Sequence, residues 1–276
     1  MTILVTGARG AVARRLIRGL VDAGQKVRAA GRVPQAVQAP EGVEVVQADL
    51  SRPETLGSAF DGVAKVFLYA EPQGLDGVLA QAKQAGVEHV VLLSAAGADS
   101  ASADAITSMH GRAEDAVAAS GIGWTFLRPG GFATNRLLWA ATIRERGVVL
   151  DPFPESQSAL IHEADIADAA HHVLTEPGHL GARYTLTGPE SITLRRQVDI
   201  LARALGRPIT VELQSLDDYR EALRPLGPPD IVEARIRRLA ALVGTPAPVT
   251  PTVEALTTHP ARSFATWATD HIPDFS

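Results

Sequence analysis

The chain has 276 residues, 46% hydrophobic and 21% charged, enough for one large domain or one domain with a smaller lobe. A net charge of −5 gives no electrostatic basis for binding nucleic acid or an anionic membrane, and the absence of cysteine removes disulfides, thiolate nucleophiles and thiolate metal sites. There is no run of about 18 apolar residues and no leader-like segment before the first strand, so the expectation is a cytoplasmic protein, monomer or homodimer.

Residues 2–13, TILVTGARGAVA, are the most informative stretch. Ile3, Leu4 and Val5 predict a short strand that feeds Thr6-Gly7, and glycines recur at Gly7 and Gly10 with Ala13 in the third small position. Apolar Val12, Ala13, Leu16, Ile17 and Leu20 then fall on one helical face closed by Gly24. Strand, glycine turn and helix in that order point to a dinucleotide site, although the glycine spacing also fits an ordinary turn between a strand and a helix. In the first reading Gly7 permits the tight turn and Gly10 lets a pyrophosphate approach the backbone. The N–H groups of the first helical turn, at Ala11 and Val12, are left to face the anion.

Strands are then predicted at 25–30, 43–47, 65–69, 89–93 and 124–127, with helices at 75–85 and 103–119. This alternation predicts an α/β fold with a doubly wound parallel sheet, buried on both faces, which explains the run Val90-Val91-Leu92-Leu93. Past Leu150 the regularity loosens, and the turn Asp151-Pro152-Phe153-Pro154 marks a boundary: 1–150 for dinucleotide binding, 151–276 for a smaller α+β substrate lobe interwoven with it. That lobe is predicted to hold helices at 164–175, 194–205, 216–223 and 231–242, strands at 184–186 and 208–213, and a proline-rich link at 245–251.

The residues also discriminate between dinucleotides. An NAD site offers an acid at the end of the second strand for the ribose hydroxyls, about 20 residues past the glycine turn. Here that strand ends Ala29-Ala30-Gly31-Arg32, and a second arginine, Arg9, lies within the turn. Guanidinium groups suit a 2′-phosphate, so NADP is favoured over NAD, the alternative being that both arginines are solvated surface charge. Asp49 and Leu50, closing the third strand, suit the adenine amino group and ring, or else form a helix-initiating signal before Pro53-Glu54.

Thr6-Gly7-Ala8-Arg9-Gly10, Arg32, Ala48-Asp49-Leu50, the strand ending at Ser94 and the segment Trp124 to Phe132 resemble the NmrA-like, atypical short-chain dehydrogenase/reductases, nearest the quinone reductase-like members. His162-Glu163-Ala164-Asp165-Ile166-Ala167 and Tyr184-Thr185-Leu186-Thr187-Gly188-Pro189 extend the similarity to the second half. The resemblance implies a Rossmann domain, NAD(P) binding, and either reductase activity on a small molecule or redox sensing. It also implies that Pro129, Gly130 and Phe132 border the nicotinamide.

The Tyr-x-x-x-Lys pair of ordinary short-chain enzymes is missing. Tyr69, Tyr184 and Tyr219 are followed four residues later by Gln73, Gly188 and Leu223, and no lysine follows Lys83. By resemblance His110 stands at the lysine position, where it holds the nicotinamide ribose or donates a proton, or is simply a packed helix histidine. Ser94 is a second catalytic candidate, or a plain strand-terminal serine. Tyr69, with Ala70, is a candidate for cofactor contact or proton donation. Phe132 is a candidate wall of an apolar substrate pocket, as is Trp139 on the next helix, where the alternative is a core residue, and the histidines lack the spacing of a metal site. The expected activity is NADPH-dependent reduction of a small apolar quinone, enone or ketone; the alternative is a non-catalytic NADP sensor.

Overall fold

The computed structural model describes residues 1–71 and 73–276. In chain order the elements are β1 (Thr2–Val5), α1 (Ala11–Asp22), β2 (Lys26–Gly31), β3 (Glu44–Gln47), β4 (Val63–Tyr69), α2 (Leu75–Gln84), β5 (His89–Leu93), α3 (Ala105–Ala119) and β6 (Gly123–Pro129). They continue as α4 (Ala140–Arg146), β7 (Val148–Leu150), β8 (Gln157–Ser158), α5 (Glu163–Thr175), β9 (Ala182–Leu186), β10 (Ile192–Thr193) and α6 (Leu194–Leu205). The last are β11 (Thr210–Glu212), α7 (Leu216–Leu223), α8 (Pro229–Ala241), α9 (Thr252–Thr257), α10 (Phe264–Asp270) and α11 (Ile272–Phe275). No helix among the described residues is long and apolar enough to cross a membrane.

Seven strands form one parallel sheet in the order β3-β2-β1-β4-β5-β6-β9. Because strand side chains alternate between faces, each strand feeds two layers. Leu4, Val66, Leu68, Val90, Leu92 and Phe126 join Leu79, Ala82, Ala113 and Val117 of α2 and α3 in one buried cluster. Ile3, Val5, Phe67, Val91 and Leu93 alternate with them and are equally buried, and α1 packs against α5. The apolar face predicted for α1 is the face it buries: Val12, Ala13, Leu16, Ile17 and Leu20. The sheet is thus the doubly wound α/β arrangement expected.

The chain divides into two compact units, and the division is not a single cut at Leu150. The first comprises 1–103, 107–129 and 163–186; the second 104–106, 130–162 and 187–276. The chain leaves the first unit after Pro129 and returns over 163–186, because β9 pairs with β6 from Thr125↔Ala182 to Pro129↔Leu186 and the sheet is incomplete without it. The second unit is α+β. Within it β7 pairs with β11 in parallel and β8 with β10 antiparallel, and Trp139, Ile143, Val149, Leu201, Phe264 and Trp267 belong to its core.

The winding reverses at β1, which lies between β2 and β4. Ligands of open parallel sheets bind beyond the carboxyl ends of strands at such a reversal. The glycine turn leaves β1 at that point.

Candidate functional site

Thr6 ends β1 by giving both its N–H and its hydroxyl to Phe67 O, each at 3.0 Å. Ala8 N–H reaches Ala30 O at 3.0 Å, tying the turn to β2, and Gly10 N–H closes on Gly7 O at 2.8 Å. Gly7 holds φ +61°, a left-handed conformation costly for residues with a Cβ. Gly10 is the N-cap of α1 and offers no side-chain cap. The positive end of a 12-residue helix therefore opens from the reversal point, with backbone N–H groups available to an anion.

Tyr69, last residue of β4, lies beneath this turn. A Cβ on Gly7 would come within 2.6 Å of the Tyr69 ring, and one on Gly10 within 3.0 Å of its hydroxyl. Burial pushes the phenol up to about 12, partly offset by a hydrogen bond with the Ala13 backbone. A neutral phenol held against the turn suits cofactor contact and is a poor acid. The proton-donor role expected for Tyr69 is at odds with this placement. Ala70 packs on the core beside α2.

Arg9 in the turn and Arg32 just beyond β2 are both exposed, and neither enters a salt bridge among the described residues. β3 ends at Gln47, so Asp49 and Leu50 sit past the strand rather than at its close. Asp49 Oδ1 accepts from Ser51 N–H at 3.1 Å and Ser51 Oγ at 2.7 Å, in the turn before Pro53–Thr55. The Ser51 hydroxyl holds the Asp49 carboxyl below the usual range, and Arg32 adds attraction. Leu50 is half-buried against the core. The donor set thus fits a 2′-phosphorylated dinucleotide: an uncapped helix terminus, two uncommitted guanidinium groups, and no acid at the end of β2.

Ser94 follows β5 and is buried. Its hydroxyl donates to Glu114 Oε1 at 2.6 Å, and Arg128 grips the same carboxylate through Nε at 2.8 Å and Nη2 at 2.5 Å. This pair raises the Arg128 pKa. Arg183 approaches Glu114 at 3.8 Å and lies over the Trp124 ring. Sequence reasoning missed this cluster. Its one signal was an acidic residue on the α3 face that also carries apolar Ala113 and Val117. Ser94 is therefore committed to Glu114, which favours a positioning role. His110 is half-buried on the same helix.

Pro129 is buried and its carbonyl accepts from Ala96 N–H at 2.9 Å. In the second unit the segment from Gly130 is pinned by Ile161 N–H to Gly131 O and by Ala133 N–H to Ile161 O, both at 2.9 Å. Phe132 is half-buried and caps a 3-10 turn, Ala133–Trp139. Of the two readings of Trp139, pocket wall or core residue, the structure matches the second: it is buried in the second unit's core under the Arg136 guanidinium.

A family model described as NAD(P)H-binding matches residues 7–177. A relative from Streptomyces griseus, (4-alkanoyl-5-oxo-2,5-dihydrofuran-3-yl)methyl phosphate reductase, is 41% identical over 281 residues, 99% of each chain. The crystal structure of an NADPH-dependent quinone oxidoreductase from Escherichia coli, in complex with NADPH, is 30% identical, with a TM-score of 0.82 over 97% of this chain and 99% of that one. NmrA, a negative transcriptional regulator, matches at a TM-score of 0.72 over 99% of this chain and 95% of its own, and at 21% identity it shares the fold alone.

Proposed function

The chain belongs to the NAD(P)H-binding family, and from that premise we propose that it is an NADPH-dependent reductase of a small conjugated carbonyl acceptor, a quinone or an unsaturated lactone. The observation that carries the reading is the open N-terminus of α1 at the reversal point of the sheet, flanked by the uncommitted Arg9 and Arg32. Relatives named for a furanone phosphate and a quinone support the acceptor class.

The nicotinamide, when bound, supplies the hydride. Gly7 and Gly10 let the backbone approach the diphosphate, and the N–H groups of Ala11 and Val12 hold it. Arg9 and Arg32 take the 2′-phosphate, and Asp49 and Leu50 flank the adenine. Pro129, Gly130 and Phe132, at and just past the end of β6, would border the nicotinamide. A quinone or enone leaves a stabilised phenolate or enolate, so a strong protein acid is unnecessary. His110, or solvent, delivers the final proton. The Ser94–Glu114–Arg128 cluster holds the ends of β5 and β6 in place around this chemistry.

Purified protein with NADPH and a panel of quinones, enones and unsaturated lactones tests the reading at the nicotinamide absorbance band. Steady acceptor-dependent oxidation is expected. Tight NADP binding without turnover on any acceptor points instead to a non-catalytic sensor.

A further inference from the structure

The solvent face of α1 carries charge that the chemistry above does not use. The first 21 residues of the chain contain four arginines, Arg9, Arg14, Arg15 and Arg18, and no acid, in a protein whose net charge is −5. The first acidic residue is Asp22, the last of α1. Val12, Ala13, Leu16, Ile17 and Leu20 take the buried face of the helix, so Arg14, Arg15 and Arg18 fall on the opposite side, and all three are exposed. Arg15 is paired with the buried Glu163 of α5 at 3.4 Å. The side chains of Arg14 and Arg18 have no hydrogen-bond or salt-bridge partner among the described residues.

Residues four apart on a helix are neighbours on its surface, so Arg14 and Arg18 form one short row. A rise of 1.5 Å per residue sets them about 5 Å and about 10 Å along the axis from Ala11, whose N–H belongs to the open end of the helix. Helical Cα–Cβ bonds tilt toward the N-terminus, so both side chains lean toward that end. The row extends down α1 the positive rim that the exposed Arg9 and Arg32 form at the turn. A phosphorylated dinucleotide is a polyanion, and a chain of net negative charge repels it at long range. A local patch of the opposite sign offsets that repulsion and concentrates the ligand at its site. At 0.1 M salt the Debye length is about 10 Å, so an anion arriving at the helix end still feels charges at these distances.

We propose that Arg14 and Arg18 are steering residues for the dinucleotide: they raise the rate at which it is captured without touching it in the complex. The proposal rests on the assignment of the glycine turn to the dinucleotide and holds whichever acceptor is reduced. It separates two tasks among the arginines of this region. Arg9 and Arg32 hold the 2′-phosphate, so their loss shows as faster release. Arg14 and Arg18 act on the approaching anion through charge alone, so their loss shows as slower capture and a weaker dependence on salt. A contact distinguishes the guanidinium fork from an ammonium group, whereas a steering field does not.

Stopped-flow fluorescence of NADPH gives capture and release rates for the intact protein between about 20 mM and about 500 mM salt, over which the Debye length falls from about 20 Å to about 4 Å. Capture by the unmodified protein should slow by about tenfold or more across that range. Glutamine matches arginine in helix propensity, so the double variant Arg14→Gln, Arg18→Gln should fold normally. At low salt it should capture NADPH at about one fifth of the rate or less, at high salt within about twofold of it, and release it at an unchanged rate. Arg14→Lys with Arg18→Lys should restore capture. Lys26→Gln makes the same charge change on an exposed residue at the opposite end of β2 from Arg32, and should slow capture by less than about twofold. An unchanged low-salt capture rate in the glutamine variant overturns the proposal. So does a loss confined to release that lysine fails to restore, which marks a contact. Failure of NADPH to bind the unmodified protein removes the dinucleotide site and the proposal together, whereas salt-independent capture removes the proposal alone.

Discussion

Tyr69 and Gly7 fit each other: the ring of one occupies the space in which a Cβ on the other would lie, at 2.6 Å from Cε2 and 2.7 Å from Cδ2. The glycine turn is thus held from below by a side chain of the neighbouring strand, whose own N–H contacts the Thr6 hydroxyl at 3.4 Å. Strand β4 supplies the floor, β1 the turn, and α1 the open helix end.

Gly7→Ala therefore meets two separate obstacles. The left-handed backbone costs about 1–2 kcal/mol for an L-residue, and overlap with the Tyr69 ring adds about 1–3 kcal/mol. Urea denaturation should show a combined loss of about 2–5 kcal/mol, with NADPH affinity reduced at least tenfold by calorimetry. Adding Tyr69→Ala should relieve the overlap and leave the backbone strain, so the double variant should be more stable than the sum of the two single effects. Strict additivity would show that the ring does not constrain the turn.

Arg9→Ala and Arg32→Ala test the assignment of the phosphate. A charge-assisted hydrogen bond of roughly 1.5–3 kcal/mol corresponds to a loss of about 10- to 150-fold in NADPH affinity. NADH affinity should change little, because it lacks the 2′-phosphate. Equal losses for both cofactors would place the arginines away from that group.

The first unit was largely readable from sequence because its signals are periodic and local. The 3.6-residue spacing of Val12, Ala13, Leu16, Ile17 and Leu20 defines the buried face of α1, and β-branched runs such as Val90-Val91 mark a strand covered on both sides. The second unit offers no such repetition. Its strands β8 and β10 have two residues each, too short to show alternation, and Trp139 sits on a 3-10 turn with no 3.6-residue repeat to show its buried face. The site clusters are long-range. Ser94 meets Glu114 twenty residues on, and Arg136 meets Gln197 sixty-one residues on, pairings that only the folded chain brings together.

Glu114→Ala should expose how much the first of those clusters contributes. It leaves Arg128 without its carboxylate and Ser94 without its acceptor, in a place where Glu114 is 4% exposed. Breaking a buried pair by removing one partner costs about 3–5 kcal/mol. Denaturant midpoints should fall accordingly, and Glu114→Gln, which keeps an acceptor oxygen, should recover part of the loss. A loss below about 1 kcal/mol would mean that the cluster is solvated in solution.

His89 gives the first unit a pH dependence of defined sign. It is buried on β5, with Nε2 2.8 Å from Thr125 Oγ1, and Thr125 donates its own hydroxyl proton to His179 O at 2.7 Å. Nε2 must therefore carry the hydrogen of a neutral ring. Desolvation, then repulsion from Lys65 and His179, lowers its pKa from 6.5 to about 4. Between those values the unfolded chain binds more protons than the folded one, so stability is full above about pH 6.5 and declines as the pH falls toward 4. The total is about 3 kcal/mol once the pH is below the folded value. Urea titrations at pH 7 and pH 5 should differ by about 2 kcal/mol from this group alone. His89→Gln places an amide donor near the Nε2 position for Thr125 but does not titrate, so that part of the difference should vanish in it. An unchanged difference in the variant would assign the acid sensitivity to other groups and leave the β5 imidazole free to protonate in the folded state.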